Sequence, residues 1–281
     1  MNTYKGKDGF RNKVALITGA GSGIGQATAL ELARRGAVLW LTDINADNLE
    51  QTAQQVRALG AQCTTQVCNV GSSTDMKKLA KSVHQQHPAL DILINNAGIG
   101  VAGRFVDTSL KTWNKVLDVN VKGVMLGCHL FAPNMIEQKQ GHIVNLASAA
   151  AFIATKDMPV YSMSKSAVLG FSEALRADLH EYGIGVSAVC PGIINTPIVA
   201  NAVFEGKLGH SDNVKNKAVD FYKKRNYTPD RVALGIIDAI ENNMAVRPVS
   251  PEAWAMYVAK RLAPGVVDWL GRRDIPFLAT D

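Results

Sequence analysis

The sequence predicts an α/β fold, a doubly wound parallel sheet of about seven strands with helices on both faces, in a single domain. Three observations carry this. Short runs are apolar at successive positions, as strands buried on both faces must be. Helix-length stretches separate those runs, so each strand-to-strand link is a crossover and not a hairpin. A glycine-rich segment, Thr18–Gly25, lies between the first run and the first helical stretch.

Strands are read at Val14–Thr18, Val38–Thr42, Gln62–Cys68, Ile92–Asn95, His142–Leu146 and Val186–Cys190, with a seventh at Ala245–Val249. Helices are read at Ile24–Arg35, Ala46–Leu59, Ser73–His87, Leu110–Gln138 and Tyr161–Tyr182. Asp107-Thr108 or Ser109 can cap the fourth helix, and Gly183 ends the fifth. Asn195–Asp230 breaks the rhythm: it is polar, shows no clear strand, and carries apolar patches at Ile198–Phe204. A long excursion beyond a sheet's carboxyl edge is more often functional than idle, so residues 195–230 are expected to form a substrate lid. Residues 251–281 are a C-terminal extension surplus to the sheet.

Composition bounds the function classes. The chain has 281 residues, 47% hydrophobic and 19% charged, which excludes a disordered or collagen-like polymer. No run approaches the length of a membrane-spanning helix, and the first residues lack the apolar core of a signal peptide, so a cytoplasmic location is expected. Thirty Lys and Arg against 24 Asp and Glu give a net charge of +6. That excess is thinly spread; its densest clusters, Lys223-Lys224-Arg225 and Arg272-Arg273, are too short for a nucleic-acid stripe. Cys63, Cys68, Cys128 and Cys190 form no CxxC pair, and the six His form no HxxxH or HExxH, so no metal is expected. The spacing of Cys63 and Cys68 puts them on opposite faces of a strand.

Thr18-Gly19-Ala20-Gly21-Ser22-Gly23-Ile24-Gly25 joins a strand to a helix N-terminus. Glycines there permit a tight turn and close backbone approach, and the unpaired helix N–H groups suit a pyrophosphate. This is the dinucleotide-binding, Rossmann-type form of the doubly wound sheet. Asp43 follows the second strand, where a carboxylate can accept both hydroxyls of an adenosine ribose and repel a 2′-phosphate. Its plainer role would be to cap the next turn. The loop holds no Lys or Arg, and Ile44 follows Asp43, so NAD is expected over NADP.

The motifs from residue 13 to about 197 closely resemble the short-chain dehydrogenase/reductase family, in its TGxxxGxG and YxxxK branch. They are TGAGSGIG at Thr18–Gly25, NNAG at Asn95–Gly98, Asn120 in VNVKG, Ser148, YSMSK at Tyr161–Lys165, and Pro191-Gly192. The resemblance implies that Gly19, Ser22, Gly23, Ile24, Gly25, Asp43 and Ile44 hold the dinucleotide. Asn96, Ala97 and Gly98 would support its adenosine side, with Asn69 and Val70 beside adenine, where the family usually has Asp-Val. Pro191, Gly192, Ile194 and Thr196 would line the nicotinamide. Tyr161 would exchange the proton with the substrate oxygen, Lys165 would lower its pKa and bind ribose, and Ser148 would orient that oxygen. Asn120 would kink its helix and hold a water linked to Lys165. The chemistry wants such a pair, since a tyrosine (reference pKa about 10) is a poor base unless a cation favours its phenolate.

Residues between Ser148 and Tyr161, with Phe152 among them, should line the substrate pocket, and Ile198, Val199, Val203 and Phe204 should close it. These are mostly apolar, so a lipophilic secondary alcohol or ketone is expected. No Arg is obviously placed to pair with a substrate carboxylate; Lys156 and Arg104 are the exceptions to weigh, with surface placement their plainer reading. In the extension, Trp254, Tyr257, Val258, Arg261 and Leu262 are read on one helix face, and Val266, Val267, Trp269 and Leu270 come after Pro264. Packing over the pocket or a subunit contact is favoured there over a peripheral membrane contact. By family analogy a homodimer or homotetramer is expected, with no nucleic-acid partner. The same site would also serve an NADP-dependent carbonyl reductase, and binding alone would suit a silent dinucleotide sensor.

Overall fold

The computed structural model describes residues 4–6, 8–209, 212–275 and 278. Positions 210–211 of the excursion, and 276–277 and 279–281 of the extension, lie outside the described residues. The first half alternates β1 (Val14–Thr18), α1 (Gly23–Arg34), β2 (Val38–Asp43), α2 (Ala46–Ala58), β3 (Cys63–Val67), α3 (Ser73–Gln86) and β4 (Ile92–Asn95). After a two-residue strand β5 (Val101–Ala102) come α4 (Leu110–Val116), α5 (Gly123–Gln138), β6 (Gly141–Leu146), α6 (Pro159–Leu179) and β7 (Ile184–Pro191). The chain then forms β8 (Val203–Phe204), α7 (Asp212–Arg225), α8 (Pro229–Glu241), β9 (Val246–Val249), α9 (Pro251–Leu262) and α10 (Pro264–Gly271).

Seven strands form one parallel sheet in the order β3-β2-β1-β4-β6-β7-β9. Val14 pairs with Val38 on one side of β1, and Ala15 with Ile92 on the other. The order therefore reverses between β1 and β4, and a crevice opens there at the strands' carboxyl ends. Each face carries its own core. Leu16, Leu93 and Ile143 pack with α3, α5 and α6, whereas Ile17, Ile94 and Val144 pack with α1, α2 and α8. Cys68 joins the first face and Cys63 borders the second, as their spacing predicts. Among the described residues no group of three ligands could hold a metal, and no helix is long and apolar enough to cross a membrane.

Three local expectations are corrected. The long helix at 110–138 is interrupted: Leu117–Lys122 is π-helical, between α4 and α5. The wider turn brings Asn120, fully buried, onto the backbone of Ile99, with Oδ1 accepting from its N–H (2.8 Å) and Nδ2 donating to its carbonyl (3.0 Å). The 195–230 excursion does contain a strand, since β8 pairs in parallel with β5. Two residues have no detectable period, and the pairing forms only because the excursion returns over Val101. In α9 the inward face is Ala253, Met256 and Tyr257, so Trp254, Val258 and Leu262 remain 40%, 46% and 79% exposed. As expected, β6 ends at Leu146, and Ser148 caps a 3₁₀ turn at Ala149–Ala151. Ser109 caps α4, and Gly183 (φ 74°) ends the turn after α6.

Candidate active site

The site is built on the carboxyl ends of the strands. Beyond β1, Gly19 adopts φ 65°, and a Cβ on it would lie 2.8 Å from Ala97 Cα. A Cβ on Gly25 would lie 2.1 Å from the Gly19 carbonyl oxygen, so only glycine lets α1 start this close to the loop. The loop is tied to the strand beside it. Asn96 Nδ2 donates to the carbonyls of Thr18 (2.8 Å) and Gly19 (3.0 Å), and Thr18 Oγ1 accepts from the N–H groups of Asn96 and Ala97. At the end of β2, Asp43 accepts from Gly21 N and Asn45 N, both at 2.9 Å. It therefore braces both the loop and the next turn, and each carboxylate oxygen keeps a lone pair toward the cavity.

Ser148, Tyr161 and Lys165 converge across the crevice. Ser148 Oγ accepts from Ala150 N (3.1 Å), and its hydroxyl lies close to the phenol of Tyr161, in the first turn of α6. Lys165, one turn on, is buried and donates from Nζ to the Leu146 carbonyl at 2.7 Å, its one hydrogen bond among the described residues. Its ammonium stands 5.9 Å from the Tyr161 ring centroid. Burial pushes the Tyr161 phenol above its ordinary pKa, with the nearby Ser148 hydroxyl pulling the other way. Burial lowers Lys165 to about 8, against a weaker opposing effect of Cys190.

These groups face one cavity of about 1670 Å³, larger than the roughly 300–1,000 Å³ that houses a single small ligand. Gly19, Ser22, Gly23, Ile24, Asp43, Ile44, Asn69, Val70, Asn96, Ala97 and Gly98 line one part, and Pro191, Gly192, Ile194 and Thr196 lie beside Ser148, Tyr161 and Lys165. Gly25 and Asn120 stand behind this wall. Ile198 and Phe204 line the remainder, but Phe152 does not; it is 2% exposed and packs edge-on against Tyr257 at 5.2 Å. The 3₁₀ turn after Ser148 rotates Phe152 into the core, and Ile153 takes its place on the wall.

Several wall residues escape a linear reading. Ala218, Phe221 and Tyr222 of α7 line the cavity, and their helical spacing is the one signal that could have found them. Burial raises the Tyr222 phenol, helped by nearby Tyr161 and Glu252. Glu252, at the start of α9, accepts from Ile193 N (3.0 Å) and pairs with Arg225 at the end of α7 (2.5 Å). One carboxylate thus joins the loop after β7, the excursion and the extension. Arg104 and Lys156 are turned to other work. Arg104 pairs with Asp157 (2.9 Å) and Asp274 (3.2 Å), and Lys156 pairs with Asp274 (2.6 Å), while Arg273 reaches the cavity wall.

The cradle fits a dinucleotide by its own geometry. The bare glycine loop opens on a helix N-terminus, a carboxylate with spare acceptor capacity stands at one end, and a buried ammonium with a single acceptor stands at the other. A family model described as short chain dehydrogenase matches residues 13–205. The probable oxidoreductase EphD of Mycobacterium tuberculosis is 38% identical over 259 residues, which cover 91% of this chain. The chain spans only 44% of that relative's length. The cyclohexanol dehydrogenase of an Acinetobacter species is 36% identical over 73% of this chain and 85% of its own. Among solved structures, a short chain dehydrogenase/reductase from Burkholderia phymatum in complex with NAD matches with a TM-score of 0.83 at 29% identity, covering 95% of this chain and 98% of that one.

Proposed function

The chain belongs to the short chain dehydrogenase family, and from that premise we propose that it is an NAD-dependent oxidoreductase interconverting a lipophilic secondary alcohol and its ketone. The observation that carries the reading is the convergence of Ser148, Tyr161 and Lys165 on one wall of a cavity large enough for a cofactor and a second molecule. When bound, the nicotinamide would supply hydride exchange with the substrate carbon. Tyr161 Oη gives its proton to the ketone oxygen in reduction and takes it from the alcohol in oxidation. Ser148 Oγ, its own lone pair already engaged by Ala150 N, donates to that same oxygen and fixes it beside the phenol. Lys165 Nζ offers its remaining N–H groups to the ribose, and its charge opposes the burial that holds Tyr161 neutral.

Asp43 supports NAD over NADP, because the cavity residues next to it in sequence, Ile44, Asn45 and Asn48, carry no cation to balance a 2′-phosphate. The cavity's surface lysines, Lys111 and Lys115, stand on α4. Apolar walls at Ile153, Ile198, Phe204 and Phe221 support a lipophilic substrate, and a relative's name, cyclohexanol dehydrogenase, denotes a secondary alcohol as that protein's substrate. Residues 195–230 act as the lid. Half-exposed Met125 and Met163 on α5 and α6 mark the surface for self-association into a homodimer or homotetramer. The test is turnover of a ketone panel with NADH and with NADPH at equal concentration. NADH should be the faster cofactor and the apolar ketones the better substrates. Faster NADPH turnover overturns the cofactor assignment, and activity confined to small sugars or hydroxy acids overturns the substrate class. NADH binding without turnover across the panel would leave a dinucleotide sensor.

A further inference from the structure

We propose that the substrate is an elongated apolar molecule with a carboxylate at the end remote from its reacting carbon, and that Arg273 receives that carboxylate. This rests on the alcohol–ketone reading of the same site. Among the described residues, four cations line the cavity. Lys165 stands beside Tyr161, Lys111 and Lys115 stand on α4, and Arg273 comes after α10. Arg273 is set apart by its surroundings. The charged groups of the extension and of the segments it meets are engaged with one another: Arg272 with Asp268, Arg225 with Glu252, and Lys156 and Arg104 with Asp274. Asp157 takes Arg104 as well. Arg273 has no carboxylate partner among the described residues.

Its neighbour Asp274 does not cancel that charge. Lys156 and Arg104 already pair with Asp274 and Asp157, so with Arg273 three cations stand against these two carboxylates and the local balance stays positive. The Arg273 guanidinium packs over the Trp269 ring with its carbon 4.3 Å from the centroid. Such stacking restrains a long side chain while leaving its N–H edge open, and that planar edge matches a carboxylate with two parallel hydrogen bonds. The wall leading to it is apolar. Leu270, Ile275 and Leu278 of the extension line the cavity with Phe204 and Met158, and Phe204, Met158, Ile275 and Leu278 belong to one small hydrophobic cluster. A hydrocarbon body would cover these side chains, and an anionic end would emerge at the exposed guanidinium.

The test compares a medium-chain keto acid, its ketone near the far end of the chain, with its methyl ester. In the unmodified protein kcat/KM should favour the acid about two- to fivefold, the upper range of a solvent-screened ion pair. The preference should fall as salt rises. Arg273→Gln should bring the acid-to-ester ratio to about one through the KM of the acid, and Arg273→Glu should invert it. The ratio is its own control for a folding defect. A ratio near one in the unmodified protein, or one that Arg273→Gln leaves intact, overturns the proposal. If neither ketone is turned over, the oxidoreductase reading fails separately, and heat stabilisation by decanoate against decanol decides this one. A decanoate shift that Arg273→Gln abolishes sustains it, and no difference between the two ligands overturns it.

Discussion

The cavity has a floor and a roof, and they are held by different forces. The floor comprises the glycine loop, Asp43, Ser148, Tyr161 and Lys165, all mounted on strand ends or first helical turns over the two large cores. The roof comprises the described residues of 198–225 with Leu270, Ile275 and Leu278 of the extension. It is held by a cluster of five buried residues (Ala102, Leu208, Val214, Ala218 and Leu278), a two-residue strand pairing and a few ion pairs. A fully buried Leu or Ile contributes about 1.5–3 kcal/mol, and an exposed ion pair about 0–1 kcal/mol. The floor therefore fixes reacting groups in place, whereas the roof can yield to what enters. On the proposed reading, chemistry belongs to the first and selection to the second.

That division can be broken by experiment. The largest effect belongs to the floor: Tyr161→Phe removes the proton-exchanging hydroxyl and should lower kcat by about 10²–10⁴, the usual range for general acid–base catalysis. NADH binding, monitored by fluorescence, should persist; retained turnover would sink the assignment of Tyr161.

The next effect probes the core under the floor. His142 is buried on β6, with Nε2 2.9 Å from Ser187 Oγ, and burial, aided by Arg176, lowers its pKa from 6.5 to about 3. Between those values the unfolded chain binds the extra proton, so stability falls as pH drops from 6.5 toward 3. The slope is about 1.4 kcal/mol per pH unit for one proton, or tenfold in the folding constant. Denaturant melts across that window should show His142→Gln with a shallower acid loss; identical slopes in the two proteins would reject His142 as the cause.

The smallest effect belongs to the roof. Arg225→Met removes the partner of Glu252 from α7, a partly exposed pair, and should raise substrate KM about fivefold with little change in kcat. A loss of kcat comparable to that of Tyr161→Phe would erase the distinction between floor and roof.

The same division governs how much a linear reading can see. The seven strands of the main sheet fall within one or two residues of their expected places, because continuous apolar runs and glycine turns are local signals. Ser148, Tyr161 and Lys165 come together because strand ends and a helix start place them. The β5–β8 ladder is invisible in the sequence, since it joins residues about 100 positions apart with two-residue strands. Phe152 is misplaced by its sequence because a single 3₁₀ turn decides which way it faces. Arg273 escapes notice beside Arg104 and Lys156, because which cation keeps an open edge depends on carboxylates far along the chain. Asp274 lies 170 residues from Arg104.

Gly192 carries a further consequence. A Cβ there would lie 2.4 Å from Ser250 Oγ and 2.5 Å from Glu252 Oε1, so the residue after Pro191 is glycine on account of the side chains that open α9. Ser250 itself sits at φ 108°, a strained position for any residue but glycine, and still caps α9 through Ala253 N. An extension of this kind cannot be transplanted alone onto another sheet. Donor and recipient must share the small residue beneath the seam, and descendants of this chain can vary one side only as fast as the other permits.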